Sequence, residues 1–400
     1  MPLSQHFALD PTVTFLNHGS FGATPRAVLA AQQRLRDRME AQPVQFLARD
    51  LETLLDEARS SLGAFVDAPS EDLVFVPNAT FAVNAVLQSL TLSPGDEIVV
   101  TDHGYAACTN AARFVAERAG ARVVTAEVPF PLRASGQVLD AITRTLSSRT
   151  RLVLVDHVTS PTALVFPVED IVHVCQRSGV DVLVDGAHAP GMVPLSLRSL
   201  GAAYYTGNLH KWVCAPKGAA FLHVHPSRQH RVRPLVISHG ASSRRTDRSR
   251  LSIEFNWMGT DDPTAVLSVP EAIRFMASLL PGGWDALREA NRALALEARA
   301  LLSDALGVPP PAPASMIGSM ATLALPADRF PLNPRCDPTF EDGLQQMLWD
   351  DHRIEVPVMR WGDPASLLLR VSAQVYNDLS QYQRLAEALR SAGTVRGAAR

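Results

Sequence analysis

Apolar residues fall in short unbroken runs along the first half of the chain, and between those runs they recur every three or four positions. Val74-Phe75-Val76, Ile98-Val99-Val100, Arg122 to Thr125, Leu152 to Val155 and Val182-Leu183-Val184 read as strands. Thr80 to Leu90, Ala106 to Arg118, Val138 to Leu146 and Val168 to Arg177 lie between them with helical spacing. Strands covered on both faces carry continuous apolar runs, so this alternation predicts an α/β fold: a mostly parallel sheet sandwiched by helices. Upstream, Thr24-Pro25 is a helix start, a capping hydroxyl followed by proline at the first helical position. A helix through Met39 and a second from Phe46 to about Phe65 follow.

The alternation fades after Val224. Helical stretches are expected near Thr264 to Leu280 and Trp284 to Leu306. Val308-Pro309-Pro310-Pro311-Ala312-Pro313 suits neither helix nor central strand and reads as a junction. Beyond it lies a smaller α+β pattern. Strands near Met320 to Leu325, Ile354 to Val358 and Leu367 to Val371 frame a helix near Phe340 to Trp349, and a last helix runs from about Leu379 to Leu389. The tail from Ser391 is small and polar and is expected to fray.

Composition narrows the classes of function. A length of 400 residues gives about two domains ample core, and 46% hydrophobic with 19% charged residues is a globular composition, not a disordered or collagen-like one. A net charge of -3 offers no global attraction to nucleic acid or an anionic membrane. No stretch is apolar enough to span a bilayer, and Met1 to Thr12 lacks the basic and apolar regions of a secretory signal. Cys108, Cys175, Cys214 and Cys336 form no C-x-x-C pair, so a reduced, cytoplasmic setting is expected.

One count stands out. The chain has 37 basic residues, of which only Lys211 and Lys217 are lysine. Arginine supplies positive charge but cannot lose its proton, so a retained lysine suggests a use for the neutral amine. Lys211 lies in Tyr204-Tyr205-Thr206-Gly207-Asn208-Leu209-His210-Lys211-Trp212, downstream of Val182-Leu183-Val184-Asp185-Gly186-Ala187-His188. Asp185 ends a buried strand, where open α/β sheets bind ligands. Val76-Pro77-Asn78-Ala79-Thr80 leads from a strand into a helix start, which makes a phosphate cup. Pyridoxal phosphate requires these three parts: a lysine to form an imine, an acid for the pyridine nitrogen and a cup for the phosphate.

Asp185-Gly186-Ala187-His188 and His210-Lys211-Trp212 resemble the class V aminotransferase family of fold-type-I pyridoxal phosphate enzymes, and within it the isopenicillin N epimerase-like branch. Leu16-Asn17-His18-Gly19-Ser20-Phe21-Gly22, Thr101-Asp102-His103-Gly104-Tyr105, Asp156-His157-Val158-Thr159-Ser160, Trp257-Met258-Gly259-Thr260 and Arg370-Val371-Ser372 carry the same resemblance. The resemblance implies a large cofactor domain over residues 20–262, and a small domain over 263–400 joined by residues 1–19. It implies Lys211 as the cofactor's lysine and the acid/base at the substrate's α-carbon, and Asp185 on the ring nitrogen. His188 would lie by the cofactor's phenolic oxygen with Thr159 or Ser160, and His103 or Tyr105 would stack on the ring. Asn78, Ala79, Thr80, Asn208 and His210 would hold the phosphate, joined by Gly259 and Thr260 of a second subunit in a homodimer. Arg370 would grip the substrate's α-carboxylate, with Asn17 and His18 at the entrance. Plainer roles exist for three of these: a turn for His103, an ion pair for Arg370 and a helix cap for Thr260.

Other patterns carry less. His223 and His225 share one strand face, yet no third ligand has matching spacing, so no metal site is expected. Arg244, Arg245, Arg248 and Arg250 read as a solvated loop by the site mouth, able to select acidic substrates, and not as a nucleic-acid patch. The cysteine desulfurases of the family place a cysteine just before a proline upstream of the substrate arginine. The matching stretch here, His352-Arg353-Ile354-Glu355-Val356-Pro357, has none. That disfavours a persulfide-forming desulfurase but not a lyase that releases its sulfur product. Ile354-Glu355-Val356-Pro357 resembles the epimerase-like branch, so epimerisation at an amino-acid α-carbon is the first expectation, carbon–sulfur β-elimination the second, and transamination the third.

Overall fold

The computed structural model describes residues 2–362 and 364–397. Seven strands form one sheet: β2 (Leu73–Val76), β3 (Glu97–Thr101), β4 (Arg122–Ala126), β5 (Thr150–Asp156), β6 (Asp181–Asp185), β7 (Tyr204–Asn208) and β8 (Ala220–Val224), after a two-residue β1 (Thr14–Phe15) that lies outside it. Their order is β2-β8-β7-β6-β5-β3-β4. The neighbours from β4 across to β7 are parallel, whereas β8 runs antiparallel to both β7 and β2. The carboxyl ends of β2, β3, β5, β6 and β7 therefore share one edge of the sheet, which is where the site lies.

Each face of the sheet is sealed by helices. The strand side chains Val99, Val153, Val155 and Val182 pack with Leu55, Leu62, Val138, Ile142, Ile171 and Val172 on one face. Val74, Ile98, Leu152 and Leu183 pack with Val83, Val86, Ala112 and Val115 on the other. This two-sided burial is why the strands read as unbroken apolar runs. Ala265, Val266, Leu267, Val269 and Ala272 also bury themselves in the large core, although they follow residue 262.

A second core gathers around β9 (Met320–Ala324), β11 (Val358–Trp361) and β12 (Ser366–Ser372), an antiparallel sheet in the order β11-β12-β9; β10 (Ile354–Glu355) pairs instead with β1. The expected strand over 354–358 is thus two strands. Pro357 has no N–H for a ladder, and the chain changes sheets there. The long helix Gly283–Leu306, the helices Gly343–Asp350 and Leu379–Gly397, and Leu16 from the N-terminal segment complete this core. The last helix passes Ser391, where fraying was expected; residues 398–400 lie outside the described residues. No helix among the described residues is long and apolar enough to cross a membrane.

Candidate active site

Asp185 and Asp156 end β6 and β5, opposite one another in the ladder. Asp185 Oδ1 accepts the Ala187 N–H at 3.0 Å, and Oδ2 accepts the Cys108 thiol at 3.1 Å. Cys108 comes from the helix Ala106–Arg118, which follows β3. Burial raises both carboxyls above the ordinary range, and Asp185's charge adds to the rise of Asp156.

Lys211 sits in the connection from β7 to β8. Burial, then the charge of Arg370, lowers its amine from 10.5 to about 7. Its Nζ lies 3.0 Å from His188 Nε2. His188 is buried and held far below its ordinary value by that burial and by Lys211, so it is neutral. Trp212 Nε1–H points at His188 Nδ1 across 3.5 Å, which assigns the ring proton to Nε2. The imidazole then donates to the lone pair of a neutral lysine. The amine is held near its neutral form, and its lone pair becomes available as a base once the His188 hydrogen bond is released.

The loop carrying Lys211 is clamped from below. His18 Nε2–H donates to the Lys211 carbonyl at 3.0 Å, and its Nδ1 accepts from the Tyr376 hydroxyl at 2.8 Å. The His18 ring lies 4.8 Å from that of Trp212. Gln374, bound by Asn291 at 2.9 Å, and Cys214, whose φ is +60°, fill the rest of the pocket. Gly22 passes so near that a Cβ there would stand 2.2 Å from the His210 carbonyl. Lys217 binds the Gly22 carbonyl at 3.0 Å, a structural contact.

At the helix Ala79–Gln88, Asn78 Oδ1 caps the Phe81 N–H at 2.8 Å and Asn208 Oδ1 takes the Ala79 N–H at 2.9 Å. Neither asparagine engages Thr80, which leaves that first turn open to an anion. His210 bonds the Ala219 carbonyl at 3.0 Å through Nδ1, and burial lowers it to about 4. Pro77 and Phe81 line a cavity of about 530 Å³ whose wall includes Gly259 and Thr260. Thr260 is exposed and caps no helix; Asp262 caps Thr264 instead, at 2.8 Å.

Arg370, on β12, reaches across to the large core. Its Nη1 donates to the Ser160 carbonyl at 2.7 Å and hydroxyl at 3.0 Å, and its Nη2 to Ser20 Oγ at 3.0 Å and Asn17 Oδ1 at 3.4 Å. Every acceptor is neutral, and Nε has no partner. The reading of Arg370 as half of a structural ion pair thus fails among the described residues. A buried guanidinium without a carboxylate is a site for an anionic ligand.

Two expectations change. His18 exposes none of its surface and lies under the lysine loop, so it does not line an entrance; a neutral imidazole satisfied at both nitrogens belongs in such a core. His103 is likewise fully enclosed, bonded to Thr162 at 2.7 Å and the Val128 carbonyl at 3.1 Å and ringed by Phe130, Phe166 and Trp361. It has no open face for stacking, while Tyr105, two residues on, is 46% exposed. Thr159 is buried against Thr162 and the Leu164 N–H. In the arginine run, Arg245 and Arg248 bind Glu52 and Asp56, and Arg250 binds Glu254, so its charge is largely neutralised. His223 is buried and His225 exposed, and no group of three or more metal-ligating side chains gathers among the described residues. Asp156, Cys108 and Ser20 were not singled out from sequence. Asp156 bore the same sign as Asp185, an acid ending a buried strand.

An α/β crevice with a weakly basic lysine, a strand-end acid, an anion cup and a lone guanidinium has the donor set of a pyridoxal phosphate enzyme, and the residues fit that cofactor. The chain belongs to the class-V aminotransferase family, whose sequence profile matches residues 15–323. It is 39% identical to an isopenicillin N epimerase of Amycolatopsis lactamdurans over 96% of each chain. It is 32% identical to a probable chloroplastic L-cysteine desulfhydrase of Arabidopsis thaliana, over 95% of this chain and 83% of that one. A solved structure of the cystine C–S lyase C-DES, with glycine linked to its pyridoxal phosphate, superposes with a TM-score of 0.80 at 21% identity, over 98% of this chain and 99% of that one. The protein is a pyridoxal phosphate enzyme of fold type I.

Proposed function

We propose that this enzyme epimerises the α-carbon of an amino acid, or of the amino-acid part of a larger substrate. The observation that carries the proposal is a buried cluster in which Arg370, hydrogen-bonded only to neutral groups, bears on a Lys211 whose amine is lowered to about 7. Pyridoxal phosphate, when bound, supplies the electron sink that makes an α-proton acidic. Arg370 takes the α-carboxylate with its unpartnered Nε–H and with an Nη2–H released by Ser20 or Asn17, while Ser160 holds Nη1 in place. Asn17 therefore acts through Arg370. Lys211, once its lone pair leaves the His188 N–H, exchanges the α-proton on its own face of the substrate, and inversion follows when the proton is returned on the opposite face. Asp185 serves the ring nitrogen, Tyr105 covers the ring face in place of His103, and Asn78, Ala79, Thr80, Asn208 and His210 hold the phosphate. His210, its Nδ1–H already used, gives the phosphate a second donor as imidazolium, which a dianion favours. Gly259 and Thr260 complete the cup of a second subunit in a cytoplasmic homodimer.

A carbon–sulfur lyase is the second reading, favoured by the likeness to a plant desulfhydrase. A lyase that passes sulfur to its own cysteine is disfavoured. Cys108, Cys175 and Cys214 are buried with thiols pushed up by that burial, and residues 352–357 contain none.

The test is incubation of the holoenzyme in heavy water with L- and D-amino acids and cysteine conjugates, read by mass spectrometry and chiral separation. Intact substrate with deuterium at Cα and inverted configuration is expected. Pyruvate and a released thiol would make the protein a lyase.

A further inference from the structure

Asp156 and Asp185 are in-register neighbours on parallel strands, so their side chains rise from the same face of the sheet. They are 5% and 3% exposed. Their surroundings are unequal. Asp185 accepts two hydrogen bonds, from Ala187 and from Cys108. Asp156 is served by the Tyr105 backbone N–H.

The ionisable groups that face the pair are few. Lys211 is the cation near both, and burial lowers its amine to about 7, so it is charged only part of the time at neutral pH. The Cys108 thiol is held protonated by burial and by the two acids, and the Tyr205 phenol near Asp185 is held protonated by burial. None supplies a full positive charge. Two carboxylates side by side in such a place do not both ionise; one keeps a proton. The donors on Asp185 favour its anion. Burial and the Asp185 charge both favour the neutral form of Asp156.

We propose that Asp156 is the proton-bearing member of a buried carboxyl pair, a neutral acid that positions the Tyr105 loop and leaves Asp185 as the single anion for the cofactor's ring nitrogen. This rests on the placement of pyridoxal phosphate proposed above.

Asparagine copies a neutral carboxyl in shape and still accepts the Tyr105 N–H. Asp156→Asn apoprotein should therefore bind pyridoxal phosphate as wild type does, with the bound cofactor's visible band and its pH midpoint unmoved. Asp185→Asn should weaken binding about tenfold or more, because a charged hydrogen bond is lost, and should move the band. Infrared difference spectra supply a readout free of cofactor: wild-type apoprotein at neutral pH shows a protonated-carboxyl C=O band that Asp156→Asn removes. If Asp156→Asn weakens binding and moves the band as Asp185→Asn does, or leaves the infrared band in place, Asp156 is not the proton carrier and the proposal falls. If neither substitution alters cofactor binding, the cofactor does not lie over this pair, and its placement falls together with the proposal.

Discussion

Lys211 owes its chemistry to its surroundings. Burial costs a cation more than a neutral amine, and Arg370 adds repulsion, so the folded chain gives up a proton that the unfolded chain keeps. The sign of the pH dependence follows. Between about 7 and its ordinary 10.5 the unfolded state binds more protons at this site, so stability rises with pH across that window. Lys211→Met apoprotein should accordingly melt at a higher temperature than wild-type apoprotein at pH 8, by roughly 2–5 °C, and the gain should fade toward pH 10. Calorimetry at both pH values checks this; a lower melting temperature at pH 8 would contradict it. Arg370 presents the converse case, a charge kept without an acid beside it. Arg370→Lys keeps the charge and loses the planar fork, so KM for an amino-acid substrate should rise about 10- to 100-fold, with a smaller change in kcat. Steady-state kinetics would separate the two.

Among the elements, the N-terminal segment matters most beyond expectation. Its His18 joins the Lys211 carbonyl to Tyr376, which follows β12 and hence Arg370. Tyr376→Phe removes the donor to His18 Nδ1 and leaves a buried acceptor unpaired, a cost of about 1–3 kcal/mol. The expected result is a lower denaturation midpoint and faster amide exchange at Trp212 to Cys214; unchanged exchange there would show that the clamp does not hold the loop. None of this was legible in sequence. Leu16 to Gly22 resembled a family motif, but nothing in its spacing tells a histidine at an entrance from one beneath a loop. The strands were legible for a physical reason: burial on both faces imposes runs such as Val182-Leu183-Val184. Asp185 and Lys211 were legible because a strand end and a rare residue type are local properties. The antiparallel course of β8, the β1–β10 pairing and the enclosure of His103 depend on contacts between residues far apart in the chain, such as His103 with Trp361, which local pattern does not encode.

At the scale of the whole molecule, the parts of one crevice come from far along the chain: Asn17 and Ser20 near the start, the strand ends of the large sheet, and Arg370 near the end. The exposed Gly259-Thr260 turn is the element expected to serve a neighbouring subunit. That sharing is open to complementation. Lys211→Ala and Thr260→Asp chains should each be inactive as homodimers. A hybrid would contain one site with an intact lysine from one chain and an intact threonine from the other. Random pairing should restore up to about a quarter of wild-type activity; no recovery in isolated hybrids would place Thr260 in its own chain's site.

Lys211 is the residue on which the chemistry turns, and the small number of lysines makes its role simple to test. Holoprotein is treated with borohydride to fix the cofactor to its amine, digested, and mapped by mass spectrometry. The chain holds only Lys211 and Lys217. A pyridoxyl group on the peptide carrying Lys211, with Lys217 unmodified, is the predicted result. A label on Lys217, or a cofactor released without any label, would show that Lys211 does not hold the cofactor.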